Sequence, residues 1–229
     1  PNGLNWAITA DTDQPTTENN VLIVNGAVAL REGASPAYID PMHRLNAIDR
    51  GISINDAGQY AFTHSTDESA TENEYVVRGD LSANFTIIGR EGFQVPGAPA
   101  GWIAGFMNTS VITANGDVWY ETDGVAGTPT LSFADNNLIM AGNTVFAQNS
   151  VTAPSNQLSG RTDAWEAFDF EDLYVSEEGS RYILQGSLAS SSNEDGVVVV
   201  NGSVVIQEGY PLPGGPADPV GDAGIFGVY

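Results

Sequence analysis

The sequence predicts an all-β, propeller-like fold: four repeats of about 57 residues, each a four-stranded antiparallel sheet, in one domain spanning residues 1–229. Three observations carry this. A turn glycine followed shortly by an aromatic residue recurs at Gly3/Trp6, Gly58/Tyr60, Gly116/Trp119 and Gly179/Tyr182. The intervals are 55, 58 and 63 residues, and 53 more across the chain ends bring the cycle back to Gly3. A second marker runs half a repeat away, and no segment sustains the 3.6-residue apolar period of a helix. Two markers at one period of this length are the mark of a propeller or an array.

The second marker is Ala27–Gly33, ending Arg31-Glu32-Gly33, and Thr86–Gly92, ending Arg90-Glu91-Gly92. It returns as Val204–Gly209 and, degraded, as Thr144–Asn149, at intervals of 59, 57 and 60. Two copies lead into Val95-Pro96-Gly97 and Leu212-Pro213-Gly214, where proline ends a strand and turns the chain.

Hairpins follow from the turn chemistry. Val21–Val24 and Ala27–Leu30 flank Asn25-Gly26, and Val197–Val200 and Ser203–Ile206 flank Asn201-Gly202. An Asn-Gly pair between β-branched runs suits a type I′ turn, which needs positive φ at both central residues. A second hairpin type joins Ile52–Asn55 to Gln59–Phe62, and Val111–Thr113 to Asp117–Tyr120. The expected units are 11–67, 68–123, 124–186 and 187–229, with 1–10 closing the last sheet. Trp102 and Trp165 hold the same place in the repeat by this alignment and read as wedges between neighbouring sheets.

The phase puts residues 225–229 and 4–10 in one hairpin. Either they pair within one chain and make a disc, or one chain's strand pairs with the next chain's, since an unpaired edge recruits a strand. The expected partners are therefore this chain itself, or cell-surface proteins and glycans.

Composition narrows the function. There are 29 acids against seven bases, a net charge of −22 and no lysine. That balance repels nucleic acid and anionic membranes. Lacking lysine, the chain has no Schiff-base or phosphate-loop lysine chemistry. With no cysteine there is neither disulfide nor thiolate metal site. No apolar run nears the ~18 residues of a membrane-spanning helix. His43 and His64 are the only histidines and have neither metal-ligand nor triad spacing, so no catalytic residue and no organic cofactor is assigned. Paired carboxylates could hydrolyse or bind sugars, but no pair stands out.

The loops after the turn-aromatic strands carry Asp11 and Asp13; Asp67 and Glu68; Asp123; and Asn193, Glu194 and Asp195. In a ring they would gather on one face, where Asp11, Asp13, Asp67, Asp123 and Asp195 are candidate calcium ligands with loop carbonyls. Asn84, Asn108 and Asn201 head Asn-x-Ser/Thr sequons, permissive for glycosylation of an exported protein.

Asn55-Asp56-Ala57-Gly58-Gln59-Tyr60-Ala61-Phe62 resembles the Asn-x-x-Gly-x-x-x-Ala-Phe tandem repeat of bacterial surface proteins, one spacer residue short. Arg90-Glu91-Gly92 through Pro96-Gly97 resembles the segment that alternates with it. The resemblance implies an exported, propeller-like protein, often anchored at the cell surface, and brings no catalytic residues. The expected function is a non-enzymatic extracellular or cell-surface structural and interaction module. Its rivals are a self-assembling filament or array subunit and a carbohydrate-binding or glycoside-hydrolysing propeller.

Overall fold

A computed structural model describes residues 3–126 and 136–221. These residues form strands, turns and loops, with no helix. The strands make four antiparallel sheets in chain order, a propeller-like arrangement. The first sheet has β1 (Ala7–Asp11), β2 (Asn20–Val24) and β3 (Ala27–Arg31). The second has β4 (Leu45–Ile54), β5 (Tyr60–Thr66), β6 (Glu74–Gly79) and β7 (Phe85–Arg90). The third has β8 (Ile103–Ile112), β9 (Val118–Ala126), β10 (Asn137–Ala141) and β11 (Thr144–Gln148). The fourth has β12 (Trp165–Val175), β13 (Tyr182–Leu188), β14 (Gly196–Val200) and β15 (Ser203–Gln207). The expected unit boundary at 67/68 falls between β5 and β6, which pair with each other. The sheets are therefore offset by half a repeat from the units, because the link 67–73 joins strands of one sheet and 32–44 joins two sheets.

Both sequence markers have a structural meaning. Gly3, Gly58, Gly116 and Gly179 all take positive φ, the last three in the turn between the first and second strands of a sheet. The second marker closes the last strand of a sheet: Gly33, Gly92 and Gly209 have φ of 76° to 78°. In the degraded third copy, Ser150 takes the glycine's place at φ 54° and Asn149 takes the glutamate's, one residue later than the sequence alignment put it. Glu32 Oε2 accepts from the Asn20 N–H at 3.1 Å, Glu91 Oε2 from Asn73 at 3.2 Å and Asn149 Oδ1 from Asn137 at 2.9 Å. The acid or amide is retained because it satisfies a backbone donor where the next-to-last strand of the sheet begins. The hairpin of the last two strands carries a bulge at one place in every sheet: Leu22/Ile23, Val76/Val77, Ile139/Met140 and Val198/Val199.

Apolar alternation fills three inter-sheet cores. Leu22, Val24 and Leu30 meet Tyr60, Phe62 and Val77 between the first two sheets. Ala61 and Val76 meet Met107, Tyr120 and Met140 at the next junction. Trp119 and Ile139 meet Phe168, Leu184 and Val199 at the third. Trp102 and Trp165 are buried in the second and third cores respectively, as the wedge reading requires. They stand two residues apart in frame, however. Ala104 is the counterpart of Trp165, as each carbonyl accepts the N–H that follows the second marker's acid or amide.

Side chains latch the same three junctions. Asn20 Oδ1 accepts the Ile48 N–H at 3.1 Å, Glu74 Oε2 that of Met107 at 2.6 Å and Asn137 Oδ1 that of Phe168 at 3.3 Å. Each latch runs from the first residue of a sheet's next-to-last strand to the first strand of the next sheet. Position 196, the fourth equivalent, is glycine and offers no such acceptor.

Candidate functional site

Because the strands alternate in direction, the β1–β2, β5–β6, β9–β10 and β13–β14 links and the inter-sheet connections share one end of the sheets. The candidate calcium ligands sit at that end but do not converge. Asp11 accepts from the Asn20 amide at 3.2 Å, and Asp123 from the Asn137 amide at 3.0 Å. Asp67 accepts the Arg44 N–H at 2.8 Å and faces His43 Nδ1 at 3.1 Å, which holds its carboxyl below the usual range, the Arg44 N–H being the main cause. Asp13 is exposed, and Asp195 accepts the Leu188 N–H through its carbonyl at 2.9 Å. Among the described residues, no three His, Asp or Glu side chains are grouped to hold a metal ion. Arginines brace this end instead. Arg31 donates to the Glu18 carbonyl and Arg44 to that of Gly33. Arg161 bridges Asp163 and Glu194, both at 2.7 Å.

The sequons differ in access. Asn84 and Asn201 are exposed in turns, whereas Asn108 lies within β8 at 6% exposure. Asn84 is tied to the Asp80 carboxylate through both its backbone and side-chain N–H groups.

Sequence reasoning missed a buried polar cluster in the second sheet. Tyr38 donates to His64 Nε2 at 3.0 Å, and His64 Nδ1–H donates to the Ser65 carbonyl at 3.3 Å, which defines a neutral ring. Burial pushes His64 down to about 4. Its ring stacks on Tyr75 at 5.1 Å, and Tyr75 donates to Glu68 Oε2 at 2.5 Å. Arg90 pairs with Glu68 Oε1 at 3.1 Å and caps the Tyr75 and Phe93 rings. Burial raises the Tyr75 hydroxyl and, more strongly, that of Tyr38. The other repeats have no His or Tyr equivalent to His64 and Tyr38, so repeat matching gave no signal; their crowding into one unit was the signal available. With the Tyr38 and Tyr75 hydroxyls protonated and the imidazole neutral, the members of the cluster pack and hydrogen-bond to one another. A cleft of about 760 Å³ opens nearby between β3 and β7, lined by Val28, Leu30, Arg31, Pro36, Asn84 and Phe85.

β5, β9 and β13 each lie between two strands, while β1, their counterpart, pairs with β2 alone among the described residues. Leu4, Trp6 and Ile8 are exposed along it. The segment 225–229, expected to pair here, lies outside the described residues. No protein-family model matches the chain, and no curated protein matches it.

Proposed function

We propose that this chain is a non-enzymatic structural and interaction module displayed outside the cell or on its surface. The observation that carries the reading is the recurrent bracing: one side-chain latch, one bulge and one capped strand start are reused from sheet to sheet. What repeats among the described residues is support, and the unrepeated polar cluster around His64 is buried within it. Inner strands β4 and β8 bond directly, Ser110 Oγ to the Gly51 carbonyl at 2.5 Å and the Ile112 N–H to Ser53 Oγ at 2.7 Å. That contact favours a solid scaffold over a sugar-binding channel between these two sheets. The acidic, lysine-free surface and the surface-protein repeat motif favour an exported setting.

Antibody labelling of intact producing cells tests this. Signal on unpermeabilised cells or in the medium is expected; signal only after lysis would sink the reading. A second reading, assembly with copies of itself, is favoured by the exposed Trp6 and Ile8 at β1.

A further inference from the structure

We propose that the cleft between β3 and β7 binds a small molecule that carries an aromatic ring and one carboxylate. Equivalent cavities lie at all three junctions, where the bulge of one sheet's last hairpin meets the next sheet around the start of its last strand. The unpaired bulge residue is Ala29 at the first junction, Ile88 at the second and Phe146 at the third. These line their cavities together with Phe85, Asn143 and Gly202 respectively. The cavity volumes, in the same order, are about 760, 270 and 100 Å³. Space closes as the bulge side chain grows from methyl to sec-butyl to benzyl.

The third junction shows what fits such a space. Phe146 packs against Trp119 with ring centroids 4.7 Å apart, and edge-on to Tyr182 at 4.9 Å. At the first junction both ring positions are methyl groups. Ala29 stands for Phe146, and Ala7 stands for Trp119, since Ala7 faces Val24 in the register where Trp119 faces Ala141. Aromatic walls remain, for Tyr38 and Phe85 line the cleft with ring centroids 5.2 Å apart. Tyr38 is held by its 3.0 Å bond to His64, so that wall is set before a ligand arrives. A ring entering beside Ala29 regains the tilted and edge-on contacts that aromatic pairs prefer. The volume also lies within the range of small-molecule sites, about 300–1,000 Å³.

Arg31 calls for the carboxylate. It is the one charged side chain among the residues lining the cleft, and Gln148 holds its place at the third junction. Arg31 Nη1 donates to the Glu18 carbonyl at 3.2 Å, and a guanidinium presents five N–H donors in a fork that matches a carboxylate. The other polar groups of the lining are engaged elsewhere, Tyr38 with His64 and Asn84 with Asp80. A net charge of −22 opposes anions at long range, so the site suits a single carboxylate rather than a polyanion.

Isothermal titration calorimetry of the full chain with phenylacetate tests this, beside phenylacetamide as the uncharged probe and cyclohexylacetate as the non-aromatic one. Saturable binding of phenylacetate is expected, with both other probes weaker. Ala29→Ile and Ala29→Phe rebuild the second and third junctions and should lower the affinity in that order, Ala29→Phe by about tenfold or more. Arg31→Gln copies the third junction. It should weaken phenylacetate about tenfold, the worth of one hydrogen bond to a charged group, and leave phenylacetamide unchanged. Absence of saturable binding would overturn the site, and so would undiminished binding by an Ala29→Phe variant that melts cooperatively. Should Ala29→Phe not fold, undiminished binding by Ala29→Ile has the same force. Equal affinity for phenylacetate and phenylacetamide would overturn the carboxylate, and equal affinity for phenylacetate and cyclohexylacetate the aromatic ring. The titration uses purified protein, so its result is independent of the cell labelling.

Discussion

Glu74 reaches across the junction between the second and third sheets to accept the backbone N–H of Met107 at 2.6 Å. Met107 is fully buried, so without that carboxylate its N–H would have to find another acceptor. A charged acceptor on a buried amide contributes roughly 1.5–3 kcal/mol. Glu74→Ala should lower unfolding free energy by about that amount, and Glu74→Gln, which keeps an acceptor oxygen, by less than half as much. Urea unfolding of the three proteins decides it, and equal losses for both variants would discount the latch.

His64 makes stability pH-dependent. Its ring is held neutral with a pKa lowered to about 4, against about 6.5 in an unfolded chain. Between those values the unfolded state binds the extra proton, so the contribution is full above pH 6.5 and is lost as pH falls towards 4. The difference amounts to about 3 kcal/mol at most. Relief of repulsion among 29 acids opposes it over part of the same range. The comparison must therefore be with His64→Phe, which keeps an aromatic stack on Tyr75: the wild type should lose more stability than the variant between pH 7 and pH 4. Parallel curves would mean that His64 protonates without cost.

The repeat was legible because turns are written in few residues. Gly58, Gly116 and Gly179 gave the first-to-second-strand turns, and Arg-Glu-Gly gave the strand ends, since positive φ and a buried amide each admit few side chains. Sheet boundaries were less legible: hairpins show which neighbours pair but not whether the link 67–73 stays within one sheet. The latches were invisible for another reason. Asn20, Glu74 and Asn137 are ordinary polar residues in sequence, and their role depends on the rotation of one sheet against the next. The acidic loops are a different case: Asp11, Asp67 and Asp123 share one end of the sheets, and each also bonds a neighbour locally.

Gly51 marks a close approach between β4 and β8. It has φ +54°, and a Cβ there would lie 2.2 Å from the Ser110 nitrogen. Left-handed backbone alone costs a non-glycine residue about 1–2 kcal/mol, and here the obstructing atom is backbone that cannot turn aside. Gly51→Ala should therefore cost more than that figure, with β4 and β8 pushed apart. A melting temperature within a degree of the wild type would show that the two strands separate freely.

Access decides which sequons can be used. Asn108 is buried in β8 beside Met107, whereas Asn84 and Asn201 lie exposed at hairpin turns. A glycan attached during export must remain outside the folded core, and burying one beneath the third sheet would disrupt the core around Met107 and Tyr120. When the chain is secreted from a glycosylating host, peptide mass spectrometry should find sugar on Asn84 or Asn201 and none on Asn108. The Asn84 amide would still keep one N–H for Asp80, so modification there should leave the turn intact. Recovery of folded protein with Asn108 occupied would contradict the placement of that residue inside the strand.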